Sequence, residues 1–105
     1  MEKLKVLIVD DEHLIRNLIR LRIDWEQEGF EITGEASNAQ EALELVEEQN
    51  PDIIFTDIYM PNMDGIELSR RVLERYPHIK IVVVSGHDEF EYAQQGIKIG
   101  IFDLL

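Results

Sequence analysis

The sequence predicts an α/β domain built on one parallel sheet. Three observations lead to that class. Residues 6–9, 53–56 and 81–84 are short apolar runs without alternation, as strands covered on both faces require. Segments with helical apolar spacing separate them. The resulting order, β-α-β-α-β-α-β-α-β, alternates strictly, which favours parallel strands in a single domain.

Val6-Leu7-Ile8-Val9 is the first strand, bounded by Lys5 and Asp10. Leu14, Leu18, Leu21 and Trp25 recur at helical spacing and predict a first helix, which Gly29 ends. Phe30, Ile32 and Gly34 alternate with polar residues, a weaker strand signal. Asn38 can cap the second helix, with Glu41 where a capping-box partner belongs. Ala39, Ala42, Leu43 and Val46 form its apolar stripe, and Asn50-Pro51 stops it. Ile53-Ile54-Phe55-Thr56 is the next buried strand and runs into Asp57. Met60-Pro61-Asn62-Met63-Asp64-Gly65 reads as a turn-rich loop. Asp64 can cap the third helix, with Glu67 as its partner, Leu68, Val72 and Tyr76 inward, and Pro77 as its stop. Ile81-Val82-Val83-Val84 leads to Ser85-Gly86. Phe90, Ala93 and Ile97 mark a short fourth helix, and Ile101, Phe102, Leu104 and Leu105 begin a fifth strand.

Composition narrows the function. The chain has 105 residues, a net charge of −12 and 45% hydrophobic residues, enough for a core. So acidic a surface repels nucleic-acid phosphates and anionic membranes, and suits a cation or a basic partner patch. The absence of cysteine removes disulfides, thiolate catalysis and Cys-based zinc sites, and is compatible with the cytosol. The N-terminus carries charge too early for a signal peptide, and no stretch approaches the length of a membrane span.

In open α/β sheets, sites form beyond the carboxyl ends of the strands. Here those ends carry Asp10-Asp11-Glu12, Asp57 and Ser85. Parallel strands bring them to one edge. Carboxylates in one small volume raise each other's pKa or demand a cation, and an all-oxygen donor set favours Mg²⁺ over zinc or copper. Such a site can bind a phosphoryl group, with one carboxylate as nucleophile and the Ser85 hydroxyl as a hydrogen-bond partner. Taken singly, a strand-end Asp is as often a helix cap or turn residue. The conjunction of an acidic cluster, a lone Asp and a hydroxyl, each closing a buried strand, favours a site.

Val9-Asp10-Asp11-Glu12, the run from Asp57 through Gly65, and Val84-Ser85-Gly86 together resemble the receiver domain of bacterial two-component response regulators. The resemblance covers essentially the whole chain. It implies a flavodoxin-like (βα)5 receiver fold with a parallel five-stranded sheet of order 2-1-3-4-5. It implies that Asp57 is the phosphoacceptor and Asp11 a direct Mg²⁺ ligand. Asp10 would support the metal through water, and the Tyr59 backbone carbonyl would bind it. Ser85 would contact the phosphoryl group, while Pro61 and Gly65 shape the loop. The implied partner is a sensor histidine kinase, with a second copy of the chain a further candidate, in the cytoplasm.

Ile23-Asp24-Trp25-Glu26, Gly29-Phe30 and the run from Asp88 through Ala93 resemble receivers fused to AraC-type DNA-binding domains. That implies transcription control, with no direct nucleic-acid contact by this segment. Two positions depart from the family. Its Lys-Pro pair at the end of the fifth strand would follow Leu105 by register, and Lys80 and Lys98 stand elsewhere. The family's switch aromatic aligns with Leu104. The expectation is a receiver domain over residues 1–105, C-terminally incomplete, with the fifth helix missing. Lower stability and slow or uncoupled phosphorylation are expected to follow.

Two other functions compete. A Mg²⁺-dependent phosphatase of the haloacid-dehalogenase type needs a D-x-D pair after its first strand, where this chain has adjacent Asp10-Asp11. A receiver-like interaction module would keep the acidic site idle. His13, His78 and His87 lack ligand spacing and read as surface or loop residues, Trp25 as an anchor near the end of the first helix, and Glu44, Glu47 and Glu48 as a solvated face.

Overall fold

The computed structural model describes residues 2–84 and the backbone of residues 103–104. Ser85, His87 and the predicted fourth helix lie outside the described residues. The strands are β1 (Leu4–Val9), β2 (Phe30–Ala36), β3 (Ile53–Asp57), β4 (Lys80–Val84) and β5 (Asp103–Leu104). The helices are α1 (His13–Arg22), α2 (Ala39–Gln49) and α3 (Gly65–Arg75). Every strand pair is parallel and the sheet order is β2-β1-β3-β4-β5. This is the flavodoxin-like order that the resemblance implied.

A right-handed crossover places its helix on opposite faces according to which way the chain steps along the sheet. The step from β1 to β2 runs one way, and the later steps run the other. The side chains follow. Leu7, Val9, Ile54, Ile81 and Val83 pack with Ala39, Ala42 and Val46 of α2 and with Ile66, Leu68 and Val72 of α3. Val6 and Ile8 point the opposite way and pack with Trp25, Ile19, Ile53 and Phe55. Successive strand residues alternate between faces, so covering both faces explains the unbroken apolar run of β1.

Both predicted caps form in part. Asn38 Oδ1 accepts from Glu41 N at 2.8 Å, and Asp64 Oδ1 accepts from Glu67 N at 2.8 Å. The reciprocal arms do not form. The Glu41 carboxylate accepts from the Ser37 hydroxyl instead, and Glu67 pairs with Arg70 and Arg71. Asn50 ends α2 in the left-handed region (φ 48°), which its short polar side chain tolerates, and its N–H bonds Val46 O at 2.9 Å. α3 ends at Arg75, one residue before Tyr76, whose ring packs against the core margin.

The first helix corrects the sequence reading. Leu14, Leu18 and Leu21 are 73%, 53% and 82% exposed, and it is Ile19 that packs on the sheet. Ile15 and Ile19 also repeat at helical spacing, so periodicity alone could not choose between the two stripes. Tertiary contacts choose the rotation. Trp25 lies beyond the end of α1, stacks edge-on against Phe55 at 5.2 Å and Phe30 at 6.0 Å, and donates Nε1–H to Ile19 O at 3.3 Å. Arg16 is drawn toward the sheet by Glu35.

Substitutions should separate the two stripes from the core. Leu21→Lys is expected to change stability by less than about 0.5 kcal/mol. Ile54→Ala, at a fully buried position, is expected to lose about 2–5 kcal/mol. Urea denaturation checks both; a large loss in Leu21→Lys would contradict the exposed stripe.

Candidate metal centre

The acidic site follows from strand register. Val9 of β1 sits opposite Thr56 of β3, so the chain leaves both strands side by side. From β1 it turns toward one sheet face and from β3 toward the other. Such a reversal opens a crevice at the strand ends. There Asp10, Asp11 and Asp57 each bring one carboxylate oxygen within 4.8 Å of the other two.

Asp10 is almost fully buried and held at three points. Its N–H donates to Ala36 O at 3.0 Å, its carbonyl accepts from Arg16 Nη1 at 2.6 Å, and its Oδ1 accepts from Glu12 N at 2.9 Å. Burial pushes its carboxyl up from 3.8 to about 6. The Glu12 N–H opposes that rise, while the charges of Asp57, Asp11 and Glu12 add to it. Asp57 is half-buried, and burial raises its pKa as well, with Asp11 adding to the rise. The backbone N–H of Ile58, 2.8 Å from Oδ1, and that of Tyr59 pull it back. Asp11 is exposed and lines an open depression of about 410 Å³ with Tyr59, Met60, Pro61 and Asp64.

The loop after β3 closes tightly on the site. Gly65 N–H bonds Ile58 O at 2.7 Å, and a Cβ at Gly65 would stand 1.9 Å from Asp57 O. Only glycine permits that approach. Asn62 takes φ 73°, and Met63 N–H bonds Pro61 O at 2.8 Å, which bends the loop over the depression.

Three carboxylates close together, with no nitrogen or sulfur donor in the group among the described residues and an open side toward water, suit a hard cation that keeps several waters, as Mg²⁺ does. Among the described residues the hydrogen bond to the Asp10 carboxylate goes to Oδ1, from Glu12 N, and the exposed Asp11 faces the depression.

The residues singled out in the sequence divide clearly. Asp10, Asp11 and Asp57 meet, Tyr59 and Pro61 line the adjoining depression, and Gly65 packs on the Asp57 backbone. Ser85 is outside the described residues. The cap-or-turn reading of the aspartates also holds in part, since Asp10 and Asp57 each accept a backbone N–H just downstream. His13 and His78 are exposed and stand outside the acidic group. Arg16 was not singled out. One of ten basic residues, it has no motif to mark it, and only the fold shows that it reaches back to Asp10.

Fold and site together define a doubly wound α/β domain with an acidic centre at its switch point. The response regulator receiver domain matches residues 6–105, and the chain belongs to that family, the receivers of two-component systems. It is 40% identical over 97 residues to the transcriptional regulatory protein YesN of Bacillus subtilis, covering 92% of this chain and 26% of that protein. It is 38% identical over 98 residues to DegU of Brevibacillus brevis, covering 93% of this chain and 41% of DegU. The chain thus spans less than half the length of these relatives. The REC domain of AraT from Geobacillus stearothermophilus superposes with a TM-score of 0.90 at 43% identity, over 97% of this chain and 79% of that one.

The pKa of Asp10 gives a signed prediction. Its folded value lies above the unfolded one, so its contribution to stability is greatest below 3.8 and is lost as pH rises through about 6. In EDTA, Asp10→Asn should therefore stabilise the fold at about pH 8, on the order of 2 kcal/mol, and have little effect at about pH 4. Urea denaturation at the two pH values measures this, and a destabilised variant at the higher pH would contradict it. Gly65→Ala should cost about 3 kcal/mol or more, because the new methyl must displace the Asp57 backbone.

Proposed function

We propose that this chain is a phosphorylation switch in which Asp57 accepts a phosphoryl group from a sensor histidine kinase, with Mg²⁺ held by Asp10, Asp11, Asp57 and the Tyr59 carbonyl. The observation that carries this reading is the convergence of three carboxylates within 4.8 Å at the β1 and β3 ends of a receiver-family chain.

Bound Mg²⁺ supplies positive charge that offsets the carboxylates and the charge on the transferring phosphoryl group. The protein's own groups do the rest. Ile58 N–H fixes Asp57 Oδ1, so the second oxygen is presented as nucleophile. It forms the P–O bond as the P–N bond of the donor phosphohistidine breaks. The low-lying loop anchored by Gly65 keeps Asp57 in place during attack. Ser85 then donates its hydroxyl to a phosphoryl oxygen. The group works as a switch and not as an enzyme acting on a separate substrate. The adjacent pair Asp10-Asp11, in place of D-x-D, supports that choice over a phosphatase.

The names of YesN and DegU support transcription as the output of the whole protein. Response regulators act in the cytoplasm, and that is the proposed compartment. Among the described residues no helix is long and apolar enough to cross a membrane.

Incubation with Mg²⁺ and acetyl phosphate, read by intact mass, tests the reading. One phosphoryl adduct is expected, absent in Asp57→Asn and lost in EDTA. Asp11→Ala should weaken Mg²⁺ binding about 10-fold or more by calorimetry. An adduct that survives Asp57→Asn would reject Asp57 as acceptor, and no adduct on the unsubstituted chain would favour an idle interaction module.

A further inference from the structure

We propose that Arg16 is a positioning residue for the acidic centre, fixing the turn that carries Asp10 and Asp11 without touching the metal or the phosphoryl group. The inference rests on the Mg²⁺-site reading above. Arg16 is unusual for a helix-surface arginine, since its side chain is only 14% exposed. Its donors are spent on fixed acceptors. Nη1 donates to Asp10 O at 2.6 Å, and Nε donates to Glu35 Oε1 at 3.1 Å. Nη2 lies 3.2 Å from His13 Nδ1. Arg20 Nη1 holds the other Glu35 oxygen at 3.0 Å, so Glu35 is pinned from two turns of α1.

The geometry makes the bond to Asp10 O consequential. The Asp10 carbonyl and the Asp11 amide belong to one planar peptide unit. Orienting that carbonyl therefore orients the peptide from which Asp11 projects. Ala36 O holds the other side of Asp10 through its N–H, so Asp10 is fixed fore and aft. Glu35, the residue before Ala36, ties the same corner of β2 to Arg16. The charge of Arg16 is matched by Glu35, which keeps the guanidinium from competing with a cation for Asp10 or Asp11. A lysine has one compact head and cannot serve the two acceptors with a planar fork.

The test is calorimetric titration of Mg²⁺ into the metal-free full chain, with melting curves in EDTA showing each variant folded at the titration temperature. Arg16→Met should weaken Mg²⁺ binding about 10-fold or more, the usual consequence of losing a group that orients a metal ligand. Arg16→Lys should recover part of that loss. Val46→Ala, a core change remote from the site, should lower the melting temperature and leave the affinity of the folded protein unchanged. Parental affinity in Arg16→Met overturns the proposal even if the variant melts earlier, because a purely structural role lowers stability alone. Should Arg16→Met not fold, Glu35→Gln takes its place. It leaves Arg16 present but loosens its anchor, so weaker Mg²⁺ binding supports the proposal and parental binding overturns it. An unsubstituted chain that fails to bind Mg²⁺ sinks the underlying reading of the site along with this one.

Discussion

The parallel pairing of β1 with β3 is the constraint on which the rest of the structure depends. Val9 lies opposite Thr56, and the residues that follow are the two aspartates at the heart of the site. Side chains alternate faces along a strand, so a slip of one residue would move every core side chain of β1 to the opposite sheet face and draw Lys5 or Asp10 into the apolar span. The apolar cover on both faces of the sheet forbids that slip. Hydrophobic burial of Val6, Leu7, Ile8 and Val9 thereby fixes the position of a charged group that contributes nothing to the core.

That position is electrostatically costly. Asp10 is taken out of water close to Asp11, Asp57 and Glu12, in a chain that already carries a net charge of −12. The backbone N–H of Glu12 offsets part of the cost at Asp10, and those of Ile58 and Tyr59 do the same at Asp57. The remainder makes the centre receptive to a cation, because a bound divalent ion relieves a repulsion built into the folded state. Stability and ligand affinity oppose each other at this corner of the fold, as they commonly do at functional sites.

The two sheet faces serve different ends among the described residues. The face under α2 and α3 carries the larger core and supports the loop around Gly65, which presses on the Asp57 backbone. The face under α1 carries a smaller cluster centred on Trp25. There the helix is oriented as much by polar contacts, from Arg16 to Asp10 and Glu35, as by apolar ones. The same rotation that brings Arg16 to the site leaves Leu14, Leu18 and Leu21 in solvent.

The sequence by itself determined the strands, the parallel class and the aspartates that close β1 and β3. Each rests on a local signal: an unbroken apolar run, a cap such as Asn38 or Asp64, or an acid at a strand end. The strand order came only with the family resemblance, since no local spacing records which strands are neighbours. Tertiary structure alone decided which stripe of α1 faces inward, that the helix stops before Trp25, and that Arg16 reaches Asp10. Two stripes with equal helical period look alike in a sequence. The choice between them is made by Trp25, Glu35 and the Asp10 carbonyl, groups that become neighbours of α1 only after the sheet has formed.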